Sequence, residues 1–150
     1  MRLGVTSLQG SFDRAFDGLL AAADRLDAAA LNRRPHGEGT NAPAALVVHC
    51  CGVCEFWLGH VALGRPSHRD RDAELVAEAT HAELRELVAA TRTQVAADLD
   101  ALDRGDGGMP NEVRAFLPGD GGDDEAVLHA LEELYQHLGH LEVTADALGG

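Results

Sequence analysis

Apolar residues recur along most of the chain at the three- and four-residue spacing that places them on one face of a helix. The first such stripe predicts a helix over about residues 7–30. A later stripe, which includes Leu84, Val95 and Leu99, predicts a helix over about 73–103, and the last one predicts a helix over about 123–148. Each of these helices should bury one face and leave the other in water.

The second predicted helix, over about residues 44–63, is apolar on almost every side, so we expect it to be the most buried element. Asn41 or Thr40 is the expected N-cap, and Pro43 falls in the first turn, where proline is favoured. Gly64 follows as a helix-ending signal.

The segment 104–124, between the third and fourth predicted helices, is rich in Gly and Asp, and this composition argues against a helix there. A connection of this length without regular structure is uncommon in compact domains, so we expect either a crossover or a flap over a site. β-branched residues are scattered and show no sustained alternation. The pattern predicts one all-α domain over residues 1–150, built as a four-helix bundle.

The charge balance excludes two classes of partner. The chain has 25 acidic and 12 basic residues, a formal net charge of −13. Binding to nucleic acid or to an anionic membrane requires an excess of clustered basic residues, so we expect neither. We recognise no signal-peptide pattern and no transmembrane stretch, and we therefore expect a cytoplasmic protein. The basic residues are all arginines in a chain rich in Ala, Gly and Asp, which is typical of a GC-rich genome.

The three cysteines, Cys50, Cys51 and Cys54, all fall on the second predicted helix. A zinc ribbon needs two CxxC-type pairs, and this chain offers only Cys51 with Cys54. We interpret the cysteines as reduced thiols that serve as small packing residues.

The candidate chemistry comes from two helices that are far apart in sequence. Glu133 and His137 are four residues apart in ALEELYQHLGH and therefore share a helix face, while His49 lies in PAALVVHCCGVCEFW. Two imidazoles and a carboxylate from two helices can form a three-ligand metal site. Alternatively, His49 is a satisfied core histidine and Glu133 reaches solvent or pairs with a protonated histidine. His129 and His140, near the same face, are the alternative ligands.

Three segments together resemble the DinB/YfiT-like superfamily of metalloenzymes: PAALVVHCCGVCEFWLGHVALGR around His49, the charged RDRDAE, and EELYQHLGHLEVTADAL near the end. The resemblance implies a four-helix bundle of up-down-down-up topology, often dimeric, with a long crossover between helices 3 and 4. It also implies a divalent metal held by His49 on helix 2 and by positions 133 and 137 on helix 4. Many members have His where this chain has Glu133, and the His-Glu-His set is similar to the mycothiol-dependent maleylpyruvate isomerase branch.

Members of this superfamily transfer low-molecular-weight thiols, bacillithiol in some bacteria and mycothiol in actinobacteria. The composition fits an actinobacterial source, so the resemblance implies mycothiol as cosubstrate. The isomerases carry an additional C-terminal domain, whereas this sequence stops after its fourth predicted helix, so we do not expect isomerase activity itself.

The function expected from this resemblance is a metal-dependent thiol S-transferase that acts on an electrophilic small molecule, with zinc the first choice of metal and nickel or iron also accepted. A thiol in the open metal position would lose its proton and attack the electrophile. Candidate substrate contacts are Trp57, Arg69, Arg71 and Arg114. Two alternatives stay open: a hydrolase that uses metal-activated water, and a non-enzymatic acidic bundle that acts through dimerisation.

Overall fold

The computed structural model describes residues 4–108, 110 and 112–150, and within those residues every regular element is a helix. This confirms the all-α prediction. In chain order the α-helices are α1 (Val5–Asp24), α2 (Ala28–Leu31), α3 (Pro43–Cys54), α4 (Arg71–Glu74), α5 (His81–Asp103) and α6 (Asp123–Ala147). A π-helix (Glu55–Ala62) continues α3, and short 3-10 helices span Gly37–Gly39 and Glu112–Phe116.

The first helix is shorter than predicted, because the chain turns after Asp24 and does not continue to residue 30. Asp27 then caps the separate helix α2, and its Oδ1 accepts a hydrogen bond from the Ala30 backbone N–H at 2.8 Å. An Asp side chain that bonds to nearby backbone favours a cap over a helix interior, which explains the break.

The third predicted helix is also divided. Asp70 caps the four-residue helix α4, and α5 begins only at His81. Thr80 and Glu83 form a capping box in which the Thr80 hydroxyl accepts from the Glu83 backbone N–H and the Glu83 carboxylate accepts from the Thr80 backbone N–H. The prediction of one helix from residue 73 is wrong for this reason.

The second predicted helix is confirmed as the most buried one, with an unexpected change of geometry. Its N-cap is Ala42, one residue after Asn41 and two after Thr40, and Pro43 occupies the first turn. From Glu55 the backbone is π-helical, and the Leu63 N–H bonds to the Leu58 carbonyl, five residues back. Such π segments are rare in proteins, and those that occur often lie at functional sites.

The core forms where the long helices meet. Helix α1 packs against α5 and α6, and the continuous α3–π element also packs against α5 and α6. Short α4 packs on α3. The largest buried side chains come from all the long elements and include Phe12, Phe16, Leu46, Leu58, Leu84, Leu134 and Leu141. The α3–α6 contact is the one that positions the candidate site.

The long connection after α5 is partly ordered as a 3-10 turn over Glu112–Phe116. Arg114 anchors this turn. Its guanidinium donates to the Val61 carbonyl at 2.9 Å, to the Gly121 carbonyl at 3.0 Å and to the Asp123 carboxylate at 2.5 Å. The connection is thereby fixed to the end of the π-helix and to the start of α6.

Among the described residues, one helical stretch, Gly37–Ala62, is long and apolar enough to cross a membrane by length and composition alone. Because 67% of its apolar window is buried inside the fold, the stretch behaves as a core helix, and the structure does not indicate a membrane protein.

Candidate metal centre

The structure brings together the three residues that the sequence singled out. His49 lies on α3 and is buried, whereas Glu133 and His137 lie one turn apart on α6 with side chains 29% and 22% exposed. One potential ligand atom from each of the three lies within 4.8 Å of the others. The rings of His49 and His137 are nearly perpendicular, with centroids 4.7 Å apart, and His137 Nε2 is 3.4 Å from Glu133 Oε2.

This donor set fits a divalent cation. Ligand atoms around a tetrahedral zinc ion, each 2.0–2.2 Å from it, lie roughly 3.3–3.6 Å from one another. The three groups therefore need only side-chain adjustments of about 1 Å to reach ligand distances. Two nitrogens and one carboxylate oxygen are also a donor set typical of catalytic zinc sites, which keep a further position open.

The protonation of His137 suits ligation. Burial, together with the neighbouring His49 imidazole, lowers the pKa of His137 from its ordinary value, against the opposing effect of the Glu133 carboxylate. A neutral imidazole has a nitrogen lone pair to offer, whereas an imidazolium has none. His137 is therefore neutral at pH 7 and ready to bind a cation.

A fourth residue, Glu74, contacts the ring of His49. The sequence analysis did not identify it as a candidate. Its Oε2 lies 2.9 Å from His49 Nδ1, and its side chain is only 10% exposed. Glu74 ends the short helix α4, which packs against α3. The only sequence signal was its place in the charged segment RDRDAE, where nothing indicates which acidic residue turns inward.

Arg69 forms an ion pair with Glu74 through two hydrogen bonds. Arg69 Nε donates to Glu74 Oε1 at 2.7 Å, and Nη2 donates to Oε2 at 2.9 Å. Gly52, on the facing turn of α3, leaves room for this pair, since a Cβ there would lie 2.0 Å from Glu74 Oε1. Glu74, Arg69 and Gly52 thus form one packed unit against His49.

Comparison with known proteins decides the family. The sequence pattern of the DinB superfamily matches residues 11–141, a span that holds all three candidate ligands and Glu74. The chain belongs to the DinB superfamily. No curated protein and no solved structure matches it. Membership is compatible with metal binding, and the His49, Glu133 and His137 cluster gives this DinB-superfamily chain a possible site for it.

The two alternative ligands, His129 and His140, lie beside the trio of His49, Glu133 and His137. His129 Nε2 is 4.0 Å from Glu133 Oε1, but its ring packs edge-on against Trp57 with centroids 4.4 Å apart. The ring centroid of His140 is 6.2 Å from that of His137. Neither belongs to the group of mutually close ligand atoms found among the described residues.

The four predicted substrate contacts occupy different surroundings. Trp57, on the π-helix, contacts the ring of His129, which in turn lies near Glu133. Arg69 is bound to Glu74, and Arg71 is exposed on α4. Arg114 holds the connection before α6. A substrate role for each of them stays a prediction.

The cysteines of this DinB-superfamily chain are buried free thiols. Burial raises the pKa of Cys51 to about 11, and it also raises the pKa values of Cys50 and Cys54 well above the ordinary thiol value. A thiol that stays protonated at neutral pH is a poor nucleophile and a poor metal ligand. This agrees with their interpretation as packing residues.

A cavity of about 610 Å³ lies between α3 and α5 and is lined in part by the connection that carries Pro66, His68 and Arg69. Glu74 and Arg69 line it, and so do Val48, Leu87 and Val95. The three candidate ligands are not among its lining residues. The cavity therefore approaches the Glu74–Arg69 pair from the side away from α6.

Proposed function

We propose that this protein is a divalent-metal-dependent enzyme that transfers a low-molecular-weight thiol to an electrophilic small molecule. The observation that carries the proposal is the convergence of His49, Glu133 and His137 from two helices, with ligand atoms within 4.8 Å of one another. Membership of the DinB superfamily is compatible with metal binding at such a site.

The three residues would hold zinc, or alternatively nickel or iron, since two imidazoles and a carboxylate are accepted by all of these ions. When bound, a divalent cation lowers the pKa of a thiol that enters its open position and so makes a thiolate available at neutral pH. Mycothiol is the proposed cosubstrate because the arginine-only, alanine-rich composition favours an actinobacterial source over the bacteria that use bacillithiol.

A bound divalent cation would favour an anion in its open position, because the ligands neutralise only part of its charge. As ligands, Glu133 would contribute one negative charge and the two imidazoles none, so the two positive charges of the cation would be only half neutralised. Burial of His49 and partial burial of His137 limit the access of water that would screen this charge. Trp57 and His129 provide an aromatic wall beside Glu133 against which an apolar electrophile can pack.

We further propose that α1, the α3–π element, α5 and α6 form the up-down-down-up bundle of the superfamily as a single domain. The packing of both α1 and α3 against both α5 and α6 supports this arrangement, and the 104–124 connection is long enough for the crossover. A cytoplasmic homodimer belongs to the same proposal, and it rests on the family resemblance.

Elemental analysis of untagged protein tests the metal site. We expect about one equivalent of divalent metal in the wild type after reconstitution and its loss in His49→Ala and His137→Ala. His36→Ala, at an exposed histidine before the first 3-10 helix, is the matched control and should keep the metal. Wild-type protein that stays metal-free after reconstitution would contradict the proposal and favour a non-enzymatic bundle.

Turnover assays then separate thiol transfer from hydrolysis. Zinc-loaded protein is incubated with mycothiol or bacillithiol and monobromobimane as electrophile, and in parallel with p-nitrophenyl acetate. We expect metal-dependent loss of thiol that the His137→Ala variant does not catalyse, and a faster reaction with mycothiol. Metal-dependent ester cleavage without thiol transfer would instead identify a hydrolase.

A further inference from the structure

We propose that Glu74, held in place by Arg69, is a positioning residue that fixes the tautomer of His49. In this arrangement Nδ1 carries the proton, and Nε2 keeps its lone pair for a cation shared with Glu133 and His137. The inference rests on the proposed metal site for its purpose, although the tautomer itself is a property of the metal-free protein.

The contact between His49 and Glu74 decides which ring nitrogen is protonated. Glu74 Oε2 lies 2.9 Å from His49 Nδ1, and a carboxylate can only accept, so Nδ1 must donate. Arg69 Nη2 also lies 3.3 Å from Nδ1, which would suit the opposite tautomer. That contact is longer, and the same Nη2 already donates to Glu74 Oε2 at 2.9 Å. The carboxylate therefore determines the tautomer.

Burial makes this choice strict. The side chains of His49, Glu74 and Arg69 are 3%, 10% and 13% exposed, so water has little access as an alternative hydrogen-bond partner. A neutral imidazole with its proton on Nε2 would face the carboxylate with an unprotonated Nδ1, and two acceptors would then meet in a buried place. Buried polar groups left unpaired are destabilising, because they lose their hydrogen bonds to water without a replacement. The Nδ1–H form avoids that cost.

Arg69 keeps the Glu74 carboxylate turned away from the cation position. Its two hydrogen bonds occupy both carboxylate oxygens, a bidentate arrangement stronger than bonds between neutral groups. The Arg69 guanidinium is itself placed over the Phe56 ring, 5.5 Å from its centroid. Glu74 is thus held as an orienting group and not as a fourth ligand.

The surrounding backbone is built around this pair. Gly52 lies inside helix α3, where glycine is less favourable than alanine. A Cβ at that position would lie 2.0 Å from Glu74 Oε1 and 3.2 Å from Arg69 Nε. The helix tolerates glycine here because the ion pair needs the space. Carboxylate–histidine–metal chains of this kind orient ligands in metalloproteins generally.

The tautomer is measured directly by long-range ¹H–¹⁵N NMR of the histidine rings in metal-free protein at neutral pH. We expect the His49 signals of an Nδ1–H imidazole in the wild type and their loss or averaging in Glu74→Ala. Glu74→Gln keeps an oxygen that can accept from Nδ1 and should retain the wild-type tautomer. Asp72→Ala, at an exposed acidic residue on the same short helix, is the matched control.

Zinc affinity, measured by competition with a chromophoric chelator, provides the second readout. Glu74→Ala should weaken zinc binding by about 10–100-fold, while Asp72→Ala should bind as the wild type does. An Nε2–H tautomer in wild-type His49 would overturn the inference without any variant. Folded Glu74→Ala protein that keeps both the tautomer and the affinity would also overturn it.

The failure of the proposed function looks different. If wild type and His49→Ala bind zinc equally, the metal site is wrong whatever the NMR shows, whereas the Nδ1–H tautomer tests the role of Glu74 by itself.

Discussion

A histidine that binds a metal must give up its proton first, and the neighbours of His137 already favour this. The structure places it where burial and the His49 ring lower its pKa. The sequence could predict the pairing of Glu133 with His137, because helix geometry alone stacks residues four apart. It could not predict Glu74, since Asp70, Asp72 and Glu74 look alike in the sequence and only the path of the chain turns one inward.

The lowered pKa of His137 has a consequence for the metal-free protein. In the folded protein the ring takes up its proton at a lower pH than in the unfolded chain, where its pKa has the ordinary value of 6.5. Below that pH the unfolded state therefore binds more protons, and stability falls as the pH is lowered. We expect the urea midpoint of wild type to decrease between about pH 6.5 and 5 more steeply than that of His137→Gln. Parallel pH profiles for the two proteins would contradict this assignment.

At the scale of elements, the helices follow from the spacing of apolar residues, but their interruptions do not. The apolar periodicity predicted that the first helix ends near residue 30 and that the third begins near residue 73. In the structure, Asp27 caps the separate helix α2 and Thr80 caps α5. Both signals are present in the sequence, as DAAA and THAE, and the longer stripes obscured them. The π-helical continuation of α3 packs against α5 and α6, and the spacing of apolar residues does not predict its change of geometry.

The contact between α3 and α4 provides a stability test. In Gly52→Ala the new methyl group would overlap Glu74 and Arg69, so the gain in helix propensity is outweighed by a loss of about 1–3 kcal/mol. Gly10→Ala is the matched control, because it also lies inside a helix and its Cβ would meet only Arg14 Nη1 at 3.5 Å. We expect that control to be stabilised by roughly 0.5–1 kcal/mol. Equal effects of the two substitutions on urea unfolding would show that Gly52 has no special packing role.

At the scale of the whole molecule, the candidate site joins His49 to two residues more than 80 positions away in sequence, and the meeting of their two helices depends on the complete fold. The sequence could name His49, Glu133 and His137 and the all-α class, but the distances among them follow from how α1 and α5 hold α3 against α6. The net charge of −13 also belongs to this scale, since it attracts cations towards the protein as a whole.

The most direct test of the central claim is a crystal structure of zinc-reconstituted protein with anomalous data collected on both sides of the zinc absorption edge. We predict one strong zinc peak bound by His49, Glu133 and His137, with Glu74 still hydrogen-bonded to His49 Nδ1. Zinc bound elsewhere, with these three side chains left uncoordinated in protein known to carry one equivalent of metal, would contradict the account.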